Sequence, residues 1–205
     1  DKGVKPLRFA DDDALRYYEL FSLVAHRSAL FTVVDDDTAR LHPKLSKIAK
    51  PPRKQAILAT LKRFNREMAR LKKQGQKSEL IFVYAGHGDV DKTGQGYVNL
   101  LRSKLQRKEL YRDVLARSKA DYIHLVIDAC KSYFMVKTRG WKKDSGADRS
   151  RDLQAFLAKE KLSSYPHVGV ILATSGSEST HEWALYRAGI LSHELRSALR
   201  CAGDI

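Results

Sequence analysis

Long apolar runs are missing from this chain: none approaches the roughly 18 residues a membrane-spanning helix requires, so no membrane span is expected. Cysteine is nearly absent as well. Cys130 and Cys201 are the only two, too few for a disulfide framework, and they fit a reducing, cytoplasmic setting or one thiol with a chemical task. There is no low-complexity tract and no internal repeat, which argues against disordered, fibrous and solenoid classes. What remains is an ordinary globular composition, 43% hydrophobic and 30% charged, in 205 residues, enough for one domain with its own core.

Acids are scarce in one region. From Arg40 to Lys77 there are thirteen Lys or Arg residues and a single acid, Glu67, in a chain of formal net charge +14. Such a block attracts nucleic acid or anionic lipid, or it is simply the solvated face of an amphipathic helix. Phe64 is its only aromatic, so no stacking platform for bases is present and nucleic acid is the less favoured partner. Acids concentrate instead in two triplets, at 11–13 and 35–37.

Hydrophobic spacing predicts a helix over 11–27, capped by Asp11 or Asp12, with Leu15, Tyr18, Phe21 and Ala25 on one face. "ALFTVV" reads as a strand. "PPRKQAIL" opens a long helix with proline in its first turn; Ile57, Leu61, Phe64, Met68 and Leu71 line its buried face, and Gly75 ends it. "ELIFVYA" and "YIHLVIDA" are continuously apolar, as strands buried on both faces of a parallel sheet are. Between them lie a glycine-rich turn, a short "GYVNLL" strand and a helix over about 104–117. From Lys131 to about Arg151 the chain is polar and cationic without a period and reads as an exposed loop. A helix at "LQAFLAKEKL", a strand at "HVGVILATS" and a helix at "AGILSHELRSALR" complete the chain. The alternation predicts an α/β fold, a single domain over 1–205 with a mostly parallel sheet.

Two of these strands end abruptly on a small residue followed by a reactive one. "FVYAGHGD" ends at His87 and "LVIDACKS" at Cys130. Ligand sites of open parallel sheets form beyond the carboxyl ends of the strands, and a right-handed crossover puts both ends on one edge. A thiolate is a nucleophile, and a neighbouring imidazole can take its proton and later give it to a leaving amine. Glycines around His87 leave backbone N–H groups exposed, so the N–H groups of Gly88 and Cys130 are candidates for stabilising an oxyanion. A lone buried cysteine is usually an inert hydrophobe, and Cys201 reads that way. His26, His42, His124 and His167 carry no motif, while His181 and His193 are second choices for the base.

"VYAGHGD" followed by "VIDACKS" resembles the caspase-like fold of the clan CD cysteine peptidases, which includes caspases, metacaspases and bacterial relatives. "DACKS", 43 positions after the histidine, is similar to a caspase signature with its histidine about 50 residues upstream. "LRFADDDALRYYELF" resembles the segment after the first strand of bacterial members, and "GVILATSGSESTHEW…AGILSHEL" their last core strand and helix. The resemblance implies a three-layer α/β/α sandwich and a thiol endopeptidase needing no cofactor. It also implies that a first strand and a C-terminal extension belong to a longer protein, with flanking domains. Several metacaspases depend on calcium; the consecutive aspartates here do not have EF-hand spacing.

Asp128, two positions before Cys130, stands where caspases carry a glutamine, and an acid there would pair with a substrate Arg or Lys. The metacaspase-like pattern implies a second acid, and Asp13 matches it. That pattern has serine where this chain has Ala85 on the pocket wall, and His-Ser-Gly where this chain has Lys-Ser-Tyr after the nucleophile. Protein or peptide substrates with a basic residue before the cleaved bond are therefore expected. Lys137, Arg139, Lys142 and Lys143 mark a candidate self-cleavage loop. The alternatives are a caspase-like scaffold without turnover and a nucleic-acid-binding protein using the 40–77 block.

Overall fold

The computed structural model describes residues 7–136, 164–173 and 181–201. In chain order the helices are α1 (Ala10–Ser22), α2 (Asp36–Leu41), α3 (Pro43–Ile48), α4 (Lys54–Lys73), α5 (Arg107–Glu109) and α6 (Ile190–Cys201). The strands are β1 (Glu79–Ala85), β2 (Gly88–Val90), β3 (Gly96–Leu100), β4 (Ser103–Gln106), β5 (Tyr122–Asp128), β6 (Val168–Leu172), β7 (Glu182–Trp183) and β8 (Ala188–Gly189).

The fold is mixed α/β. Its centre is a parallel sheet in the order β1-β5-β6, flanked by a small antiparallel β2-β3-β4 sheet and the β7-β8 pair. Strand β5 lies in the middle. One of its faces is buried throughout, while the other is buried at Val126 and Asp128 but exposed at Tyr122 and His124. Ile81 of β1 is exposed as well, so these strands are not buried on both faces along their length. Ile123, Leu125 and Ile127 point to the side of α4, where Leu61 and Met68 are buried among them. Asp128 points to the other side, where it meets Ser192 of α6. Each fully buried Leu or Ile in this core contributes roughly 1.5–3 kcal/mol.

Helix α4 stops as its sequence dictates. Gly75 takes a left-handed φ of +74°, and the N–H groups of Gly75 and Gln76 donate to the carbonyls of Lys72 and Leu71. These two bonds make a Schellman cap. Its start differs from expectation: Pro51 and Pro52 precede the helix, whose N-cap is Arg53. A residue before proline avoids the helical region, which keeps Pro51 out of the first turn.

Other expectations are corrected. "ALFTVV" is not a strand but one parallel bridge, Phe31 with Lys50. The next donor in that register is position 52, a proline with no N–H to give. Residues 103–106 form β4, not the start of a helix, because a capping box between Gln106 and Glu109 fixes the helical start at Arg107. From Leu110 to Leu115 the turns widen to π-helical.

Helix α1 ends at Ser22, and Leu23 and Val24 beyond it are 80% and 81% exposed, so Ala25 is not on a buried face. The stretch after Cys130 does not begin as an exposed loop: Ser132–Met135 is a 3-10 turn with Met135 and Val136 buried. The rest of the expected loop, including Lys137, Arg139, Lys142 and Lys143, and the "LQAFLAKEKL" helix lie outside the described residues.

Candidate functional site

The rim of the parallel sheet is set by register. Ala85 of β1 pairs with Asp128 of β5, and the Gly86 N–H extends the ladder by donating to the Asp128 carbonyl at 3.0 Å. His87 and Cys130 each lie two positions past that last pair. Equal offsets from one register place both segments at the same level of one sheet edge. Both residues are half-buried.

The backbones carrying them are in contact. A Cβ added to Gly88 would lie 2.6 Å from the Cys130 carbonyl oxygen and 3.0 Å from the Ala129 Cβ, so only glycine permits this approach. The Asn99 N–H donates to the His87 carbonyl at 2.9 Å. In an antiparallel ladder the next pair, Gly88 with Val98, is then non-hydrogen-bonded, so the Gly88 N–H faces away from β3. Behind the loop, the Tyr84 hydroxyl reaches the carbonyls of Asn99 at 2.8 Å and His87 at 2.9 Å. It has one proton to give, and the His87 carbonyl already accepts from Asn99, so the bond to the Asn99 carbonyl is the one it completes. Burial pushes the phenol out of the ordinary tyrosine range, beyond the opposing effect of the Asn99 hydrogen bond.

Beside this rim is a small acid-walled cleft open to solvent, with a volume of about 20 Å³, lined by Ala85, Gly86, Asp13, Asp128, Glu182 and His181 among others. Asp128 is buried, and one of its oxygens, Oδ2, accepts from the Ser192 hydroxyl at 2.6 Å and the Ser192 N–H at 3.0 Å. Among the described residues its other oxygen accepts no hydrogen bond. Asp13 has both oxygens engaged: Oδ2 accepts from the Gly189 N–H at 2.7 Å and Oδ1 from the Arg196 guanidinium at 2.7 Å. Gly189 must be glycine here, since a Cβ would come within 2.6 Å of the Asp128 carboxylate. Burial raises both carboxyls, opposed by the Gly189 N–H and Arg196 at Asp13, which settles at about 6, and by Ser192 at Asp128.

The first Asp triplet does not cap α1, whose N-cap is Phe9 with no side-chain cap. Together the three acids reach two remote segments instead, the start of α2 and the stretch from Arg187 into α6. Asp11 accepts from the Asp35 N–H, Asp12 from Thr38 and Arg187, and Asp13 from Gly189 and Arg196. In the second triplet Asp35 does cap a helix, accepting from the Thr38 N–H at the start of α2. Among the described residues no group of three or more His, Cys, Asp or Glu side chains is arranged to hold a metal ion. No helix among the described residues is long and apolar enough to cross a membrane.

Of the remaining histidines, His181 lines the acid-walled cleft, and three others are engaged by other side chains. His124 contacts Glu79, His26 contacts Glu67, and His193 stacks on Tyr186 with ring centroids 4.0 Å apart. Cys201 is the last residue of α6. Sequence reasoning did not find Glu182, Ser192, Arg196 or Tyr84. Glu182 accepts from the N–H groups of Arg8 and Phe9, tying β7 to the start of α1. None of these carries a local motif; only a glycine before an otherwise apolar helix start, Gly189, marks the place.

Compared with known proteins, the chain matches no family model, no curated protein and no solved structure.

Proposed function

We propose that the chain is a caspase-like cysteine endopeptidase that cleaves after Arg or Lys. The observation that carries this reading is the shared register: a thiol and an imidazole, two residues past a paired Ala85 and Asp128, on segments whose backbones touch at Gly88. In the proposed reaction Cys130 Sγ attacks the scissile carbonyl carbon while its proton passes to His87. The oxyanion is held by the N–H groups of Gly88 and Cys130. The C–N bond breaks as His87 protonates the leaving amine, giving a thioester. Water then attacks the thioester, His87 takes the water proton, and the carboxylic acid leaves with Cys130 restored.

The adjoining cleft supports the choice of a basic side chain. Asp128 offers the oxygen that Ser192 does not use, whereas Asp13 is engaged by Gly189 and Arg196. Asp128 is therefore assigned the contact with substrate, and Asp13 the wall behind it. Ala85, with no hydroxyl, adds only bulk to that wall. Fluorogenic peptides ending in Arg or Lys test the reading, with Cys130→Ala as control. Release by wild type and not by the variant is expected; equal rates in both would favour a scaffold without turnover.

A further inference from the structure

We propose that Asp89 and Lys131 form a latch that fixes the Cys130 turn against the His87 hairpin. It is a positioning device for the chemistry proposed above, and it rests on that reading. Asp89 lies two residues after His87, and Lys131 directly follows Cys130. Their side chains meet, Lys131 Nζ to Asp89 Oδ1, at 2.6 Å. The same carboxylate oxygen accepts the Val90 N–H at 2.8 Å, which orients it on β2. Partial burial works to raise the Asp89 carboxyl, but Lys131 and the Val90 N–H outweigh it and hold it below the ordinary range, so it is charged at neutral pH.

The backbone of Lys131 supplies an independent argument. It sits at φ +53°, ψ +25°, a left-handed conformation that glycine takes freely and other residues adopt at a cost. A lysine held there keeps a side chain that glycine would lack. Its neighbours confirm that the turn is pressed onto the hairpin at both ends. Gly88 abuts the Cys130 carbonyl, and a Cβ on Gly96 would come within 2.8 Å of the Met135 nitrogen and closer still to the Phe134 carbonyl. Asp89 lies between these two contacts, since β2 runs from Gly88 to Val90 and Val90 pairs with Gly96. Glycine contacts stop the segments from approaching further; an ion pair stops them from parting.

Both side chains are partly solvent-exposed, 36% for Lys131 and 46% for Asp89, so the pair adds little to global stability. Its effect is on spacing, where a displacement of about 1 Å can cost roughly 100-fold in rate. A latch and a mere surface ion pair therefore predict different data.

The test uses the full chain with Asp89→Asn, Lys131→Met, both together, and Lys131→Arg. Amide hydrogen exchange at 132–136 is followed alongside peptide kinetics. Each charge-removing variant is expected to speed exchange in that turn about fivefold or more and to lower kcat about tenfold with little change in KM. The double variant should be no worse than either single one, and Lys131→Arg should restore most of both signals. Unchanged exchange in the single variants overturns the latch, as do additive losses in the double variant. Faster exchange with undiminished kcat overturns its positioning role. If the wild type cleaves no peptide, the enzymatic reading fails on its own, and exchange alone decides whether the latch exists.

Discussion

Gly88 approaches the Cys130 carbonyl so closely that one added methyl carbon would sit 2.6 Å from that oxygen. That oxygen is backbone, and the next atom, the Ala129 Cβ at 3.0 Å, is fixed directly to backbone, so neither can swing aside as a long side chain can. The contact joins the segment carrying the imidazole to the segment carrying the thiol.

Gly88→Ala should therefore part the two segments. We expect peptide cleavage to fall by about 100-fold or more, as displacement of about 1 Å from the reacting geometry does. Gly169→Ala is the control, because its Cβ would meet only the His124 ring at an ordinary 3.6 Å. Kinetics of the two purified variants, with melting curves, check this. Equal activity in both would mean that the rim geometry does not depend on the Gly88 contact.

Asp128 is expected to govern substrate choice. Asp128→Asn removes the charge while preserving size, and kcat/KM for an Arg peptide should drop by about 100-fold, roughly 2.7 kcal/mol. With one oxygen already held by Ser192, the carboxylate cannot grip a guanidinium through two parallel bonds. Arg and Lys peptides should then be cleaved within about tenfold of each other. A profile in which Arg is favoured by several orders of magnitude would contradict the one-oxygen contact.

Arg196 is buried beside Asp13, and Arg196→Met leaves a buried carboxyl without its counter-charge. Truncating one partner of such a pair costs about 3–5 kcal/mol near neutral pH. The pH dependence has a definite sign. Asp13 has a folded-state pKa of about 6, above its unfolded value of 3.8, so the folded chain binds the proton more tightly. Its contribution to stability is thus fully present at low pH and is lost as pH rises through about 6. Without Arg196 the carboxyl rises further, and the deficit of the variant should be larger at pH ~7.5 than at pH ~5. Urea unfolding at the two pH values measures it, and an equal deficit at both would refute the coupling.

Tyr84→Phe deletes the hydroxyl that satisfies the Asn99 carbonyl behind the His87 loop. Leaving this partly buried carbonyl unpaired costs about 1 kcal/mol, the low end of the range for buried groups. Denaturant melts should register this as a shifted midpoint with an unchanged slope. Indistinguishable midpoints would show that water replaces the phenol without penalty.

The parts of the fold that rest on local pattern are legible in the sequence. Strands β1 and β5 are read from largely apolar seven-residue stretches, and α4 from Leu61 and Met68 recurring on one face before Gly75. The rim carrying His87 and Cys130 follows from those strands and a crossover. Where competing local chemistry is less familiar, pattern misleads. Gln106 is an uncommon member of a capping box, so 103–106 passes for helix, and Pro52 silently truncates the Phe31 bridge. The acid cleft is the least legible part. Asp13 is matched to Gly189 and Arg196 at separations of 176 and 183 residues, and no periodicity reports a partner so far away.

Three consecutive acids of α1 hook the start of α2 and the stretch from Arg187 into α6, which makes the helix sensitive to phase. Successive residues of an α-helix are turned by about 100°, so one residue inserted between Phe9 and Asp11 would swing every carboxylate to a neighbour's station. Asp11 and Asp12 would then face the partners of Asp12 and Asp13, Asp13 would move to the place of Ala14, and the loss would be collective rather than confined to one bond. Length, as much as residue identity, is what this short stretch must keep.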